Sequence, residues 1–260
     1  MTVFLHELRL GKRFLMIWSA AISFMLGVCI LIYPEMSSQM TEISDMFADM
    51  GSFSSAFGMD EINFGEFMGY FSVECGNVLG LGGAIFSALI AASSLAGEEK
   101  SGSSEFLFTH PVSRHSIVLQ KLLSVFAEIF ILNLLAAAVS AVCMLIISAD
   151  ANAAQIALIF FAYFMMQLQI AAIAFCVSSF TASGGVGIGL GIAFGAYLLN
   201  ILANLEDNLT LLKYLTPFGY TDGAYIHRHT ALQTGYLLSG LAILSAAVLL
   251  SFYQYKKKDL

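Results

Sequence analysis

Long apolar runs alternate with short polar stretches along the whole chain, and their lengths match the thickness of a bilayer. Six runs are long enough to cross it: Phe14–Tyr33, Gly69–Ala96, Leu122–Ser148, Gln155–Phe180, Gly185–Ala203 and Gln233–Tyr253. The pattern predicts an all-α, polytopic membrane protein with one transmembrane domain over residues 1–260 and no room for a separate soluble domain. The stretches between the runs are patterned too. In the segment 34–68, Met36, Met40, Ile43, Phe47 and Met50 recur at helical spacing, and Glu35, Glu42, Asp45 and Asp49 fall largely elsewhere around the wheel. An amphipathic helix is expected there, lying on the outer leaflet, capping a pore mouth, touching substrate or packing on its neighbours. At the N-terminus, Val3, Phe4, Leu5, Leu8 and Leu10 alternate with His6, Glu7, Arg9, Lys12 and Arg13. That segment reads either as a short interfacial helix before span one or as a plain basic flank.

Composition agrees with this class. The chain is 58% hydrophobic and 11% charged, far from ordinary soluble usage. Span one superficially resembles a signal peptide. Its apolar run is too long, however, and no small-residue cleavage site precedes Tyr33-Pro34-Glu35, so a retained anchor is expected. Charge sets the orientation. Arg9, Lys12 and Arg13 precede span one, Lys100, Arg114 and Lys121 lie between spans two and three, and Lys256, Lys257 and Lys258 follow span six. Six crossings place all of these on one side and leave Lys213 and Arg228 on the other. The expectation is a plasma-membrane protein with both termini cytoplasmic. The net charge of −7 is no footprint for nucleic acid. Cys29, Cys75, Cys143 and Cys176 all lie inside predicted spans without metal spacing; free thiols are expected, a Cys29–Cys75 pairing being the alternative.

Within the spans, small and polar residues mark candidate sites. Gly187, Gly191 and Gly195 form one row on span five, with Gly185 and Gly189 beside it. Such rows let helix backbones approach closely, inside the bundle or across a dimer seam, with flexible gating as the alternative. Intramembrane ionisable groups are functional candidates. Glu128, about two turns into span three by helix rise, either lines a pathway or pairs with a basic residue at the rim. Glu74 lies near the outer end of span two, in reach of the headgroups. Tyr163 and Gln167 share a face of span four, from which Gln169 points away; Asn133 and Asn200 add further polar points. Glu128, Tyr163 and Gln167 are the candidate pathway residues, interhelical hydrogen bonding being the alternative use. His227-Arg228-His229 lacks a third ligand and carries a repelling charge, so no metal site is expected in the segment 204–232, which reads as a structured re-entry or interfacial turn.

No GxxxxGK[ST] loop occurs, so ATP hydrolysis by this chain is not expected. Glu98-Glu99 is similar to the paired glutamates of CAAX-type intramembrane proteases, but Ser103 stands where that family has Arg. Thr181-Ala182-Ser183-Gly184 is similar to the rhomboid nucleophile motif, with Thr181 in place of its first Gly. The chain is not expected to be an enzyme.

The charged island Glu98–Lys121, EEKSGSSEFLFTHPVSRHSIVLQK, is the most specific feature. Glu98-Glu99-Lys100, Gly102, Ser104-Glu105-Phe106-Leu107, Pro111-Val112-Ser113-Arg114 and Lys121-Leu122-Leu123 resemble the motif that joins spans two and three in permease subunits of type-2 ABC exporters. The island motif carries the resemblance, and the six-span pattern is compatible with it along nearly the whole chain. The resemblance implies two copies of a separate ABC ATPase, which would bind ATP and Mg, and a second permease copy or relative. It also implies a cytosolic coupling helix within the segment 97–121. Carried over, Gly102–Thr109, with Glu105, would form that helix, Phe106 and Leu107 would be its apolar contacts, and Pro111–Arg114 would return the chain to span three. Glu98 and Glu99 would face the N-terminal helix or the ATPase. Phe108-Thr109-His110 departs from the small apolar residues usual before the Pro. The expected cargo is hydrophobic or amphipathic: a drug, peptide or lipid. The alternatives are an ATPase-independent secondary transporter, which would call for midspan carboxylates and internal repeats, and a non-transporting sensor or immunity partner.

Overall fold

The computed structural model describes residues 2–49, 54, 56, 63–101, 114–181, 185–205 and 207–257. Among them every regular element is helical. Six helices are long and apolar enough to cross a membrane, at Val3–Ser37, Phe67–Leu95, His115–Ile146, Ala153–Phe180, Gly185–Leu205 and Thr234–Lys257. Their number matches the six expected runs, each helix covers most of one run, and those of spans one and three begin well before it, at Val3 and His115. Spans two and four are the most enclosed, and spans five and six the least. Span two packs on spans four and five, span one on span three, and span six on span four. Among the described residues the main apolar core runs through Leu26, Phe71, Phe86, Ile129, Met166 and Phe175 with their neighbours.

The helices outrun the apolar runs because their polar flanks also take helical backbone. Span one belongs to one unbroken helix, Thr2–Asp49, with Pro34 inside it. The N-terminal segment is therefore helical and continuous with the span. The amphipathic segment 34–68 begins as the far end of this same helix. The described side chains there include Met36, which packs against Phe64 and Tyr70; those of Met40, Ile43 and Phe47, and residue Met50, lie outside the described residues.

The segment expected to couple, 97–121, is described only at its two ends. Its first residues complete the helix Gly83–Ser101, and its last open the helix Arg114–Ile146. Gly102, Glu105, Phe106, Leu107 and Pro111 lie outside the described residues, as do the side chains of Glu98, Glu99 and Arg114.

Span two is not uniform. An α-helix, Phe67–Cys75, passes into a π-helical stretch, Gly76–Gly82, and then into Gly83–Ser101. Its wide turns are rich in glycine, which destabilises an α-helix and leaves backbone accessible to a neighbour. Between spans five and six the chain folds back as a 3₁₀ helix, Asp207–Tyr214, and a short helix, Gly223–His229, capped by the Asp222 carboxylate. Phe218, Tyr220 and Ile226 from this stretch enter the core, so the segment is structured and packs into the bundle.

Candidate functional site

Two clusters of polar side chains bind the spans to one another. The first lies at the end where the described chain both begins and ends: His115 at the start of span three stacks on Phe252 near the end of span six, with ring centroids 6.0 Å apart. Here Lys121 is only 1% exposed. Its ammonium donates to the Glu7 carboxylate at 2.7 Å and to the Ser94 carbonyl at 2.8 Å. One side chain thus ties the first helix, the end of span two and the start of span three. The Phe4 amide, one of the four at a helix start without an intrahelical acceptor, donates to Gln120 Oε1 at 3.4 Å. Both flanks of the island therefore meet at this clasp.

Glu128 lies two turns further along span three and is 5% exposed. It does not pair with the nearby basic residue, because Lys121 is taken by Glu7. Instead its carboxyl lies against Gly11, where any Cβ would overlap it. One carboxyl oxygen, Oε2, is buried without a hydrogen bond.

The second cluster lies at mid-bundle. Asn133 on span three donates from Nδ2 to Gln167 Oε1 on span four at 2.6 Å and to the Ile129 carbonyl at 2.9 Å. Gln167 in turn donates from Nε2 to the Leu79 carbonyl, inside the π-helical stretch of span two, at 3.2 Å. Tyr163, one turn earlier on span four, packs its ring on Gly80, and its hydroxyl donates to the Thr221 carbonyl at 3.4 Å. Gly76, Gly80 and Gly83 leave the room for both side chains; a Cβ at Gly83 would overlap the Gln167 amide. Tyr163 and Gln167 thus share a face, as their spacing predicts, and that face is enclosed between spans two, three and four. Gln169 points the other way and accepts from the Tyr220 hydroxyl at 2.9 Å. Burial pushes the Tyr220 phenol above its ordinary range.

The two glycine rows of span five separate cleanly. Gly185 and Gly189 face the backbone of Ala92, Ser93 and Ala88 on span two. Gly187, Gly191 and Gly195 have nothing within 4 Å of a Cβ position. This second row therefore does not serve packing among the chain's own described residues.

At the opposite end, Tyr33 donates to the Gly65 carbonyl at 2.7 Å and Tyr70 to the Cys29 carbonyl at 3.0 Å. His227 meets Glu66 Oε2 at 3.1 Å and faces the Gln155 side chain. No cluster of three metal-ligating side chains exists among the described residues. All four cysteines are free, and Cys29 faces Glu74 rather than Cys75.

Sequence reasoning missed the Glu7–Lys121 pair and the π-helical stretch. The four glycines in Gly76–Gly83 were the available signal for the second. For the first there was none beyond a lysine at a span boundary.

These features define a polytopic, all-α membrane protein whose polar contacts gather both flanks of one interhelical segment at one end. The chain belongs to the ABC-2 family transporter proteins, whose family model matches residues 1–260. No curated protein matches it at a significant level.

Proposed function

We propose that the chain is the membrane-spanning permease subunit of an ATP-driven exporter, driven by a separate ABC ATPase that binds ATP and Mg. Family membership supports the permease role. The observation that carries the coupling assignment is the Lys121 clasp: Glu7, Ser94 and Lys121 draw together the first helix and both flanks of the island motif. Any displacement of the segment between those flanks is delivered to spans one, two and three at once.

In this reading Phe106 and Leu107 dock the ATPase, with Glu98, Glu99, Gly102, Glu105, Pro111 and Arg114 shaping the docking segment. Closure of two ATPase copies moves that segment and shifts packed helices as rigid bodies. The π-helical stretch of span two is where this shift is absorbed, since π turns and glycines hold a helix less firmly than α turns. The Gly187–Gly191–Gly195 row faces a second permease copy or relative, and the cargo, hydrophobic or amphipathic, passes between the two subunits. The basic end faces the cytosol of a plasma-membrane protein. Transport is the function, and the chain itself catalyses no reaction.

The test is co-expression with an ABC ATPase and reconstitution in lipid. Phe106→Asp with Leu107→Asp is expected to abolish ATPase co-purification and export, while the permease still elutes as a folded membrane protein. Undiminished export from that variant would overturn the coupling assignment.

A further inference from the structure

Span six is among the least enclosed of the spans and packs mainly on span four. Its last turns also reach the start of span three, and between the two lies a shallow, half-open crevice lined by His115, Val118, Phe252, Tyr255 and Lys256. Val118, Phe252 and Tyr255 make an apolar floor, on which the His115 ring is stacked through Phe252. Lys256 is exposed at the rim, and Lys257 beside it stands 4.4 Å over the Tyr253 ring. None of the described lining residues is acidic. The lining side chains therefore offer an anion an ammonium and an imidazole N–H, which is a donor in either charge state, and no carboxylate.

Two features make the partner a membrane lipid rather than a soluble anion. The crevice is too shallow to enclose a solute, so a free ion would be held by exposed charges alone, which salt screens. Apolar rows also lead away from it. On span three Leu119 and Leu123 follow His115 at steps of four, and on span six Leu249 stands seven positions before Lys256. Each row keeps to one helix face, and all three leucines are exposed. His115 opens the third membrane-crossing helix and Lys256 stands one residue before the end of the sixth, which puts the crevice at the level of the headgroups.

We propose that this crevice is a binding site for an anionic phospholipid. The phosphate sits between His115 and Lys256 with Lys257 beside it, and the acyl chains run along the exposed leucines of spans three and six. A lipid so held braces the end of span six against span three, where the protein's own contacts are few. Its tails keep it in place where the shallow seat alone would not. The site holds whatever the cargo, so it stands or falls separately from ATP-driven export.

The test uses the purified full chain in mild detergent with added phosphatidylglycerol or phosphatidylcholine, read by native mass spectrometry and thermal unfolding. Wild type is expected to retain phosphatidylglycerol over phosphatidylcholine by about tenfold and to unfold at a higher temperature with it. Equal retention of the two lipids would overturn the proposal without recourse to any variant. Lys256→Gln with Lys257→Gln is expected to bring the preference down to about twofold or less; a preference that survives in this pair places the lipid elsewhere and sinks the site. Arg9→Gln with Lys12→Gln removes two exposed cations from the same end and is expected to keep the wild-type preference. Equal loss in both pairs would show diffuse attraction to a basic surface instead of a site. Inorganic phosphate is expected neither to displace phosphatidylglycerol nor to raise the unfolding temperature. Displacement by it would reduce the crevice to a seat for a free ion and overturn the lipid assignment.

Discussion

Two side chains, Lys121 and Gln167, each join three segments, and they differ in what their loss leaves behind. Replacing Lys121 by Met leaves the Glu7 carboxylate without its cation in a largely buried place, and about 3 kcal/mol of destabilisation is expected. Exchanging the two residues, Glu7→Lys with Lys121→Glu, is expected to restore part of it. Thermal unfolding in mild detergent reads both, and no recovery in the exchanged pair would show that charge pairing is not what Lys121 supplies. Gln167→Ala removes one of the two acceptors of the Asn133 amide and the side-chain donor to the Leu79 carbonyl. The expected loss is smaller, about 1–2 kcal/mol, because groups inside a membrane bundle find other partners on unfolding. Local spacing made Tyr163 and Gln167 legible as one face, since helical periodicity is a local property. The Glu7–Lys121 pair joins residues 114 apart, and no local rule brings them together.

At the scale of elements, the apolar runs gave six spans because a bilayer demands length and apolarity in each one. Their ends were less legible. Polar flanks such as Thr2–Arg13 and Arg114–Lys121 satisfy their backbone as helix just as apolar residues do, so hydropathy does not mark where a helix stops. The π-helical stretch escaped for a different reason: Gly76–Gly82 is apolar enough to read as ordinary span, and its wide turns are held by Tyr163 and Gln167 from another helix. Span five offers a direct comparison of its two glycine rows. Gly189→Leu places a side chain against the Ala88 backbone and is expected to lower the unfolding temperature markedly, as overpacking does. Gly191→Leu meets open space and is expected to leave unfolding nearly unchanged while reducing crosslinking between two permease copies. Equal destabilisation by both would remove the distinction between an inner and an outer row.

For the whole molecule, stability rests on enclosed apolar contact and a few polar ties, with no covalent bridge among the four cysteines. Reducing agent is therefore expected to leave the unfolding temperature unchanged, and Cys75, fully enclosed, to resist alkylation until the protein unfolds; rapid labelling of Cys75 in the folded state would contradict the core described above. The first helix has a consequence of its own. At 48 residues it is about 70 Å long, more than twice the roughly 30 Å of hydrocarbon it crosses. Because it is unbroken, the angular position of its far end is locked to that of Glu7. Inserting one residue near Gly27 turns the far end by about 100° relative to the clasp, whereas seven residues return it to within about 20°. A single insertion is therefore expected to abolish function and seven to recover much of it, so that activity follows rotational phase rather than added length.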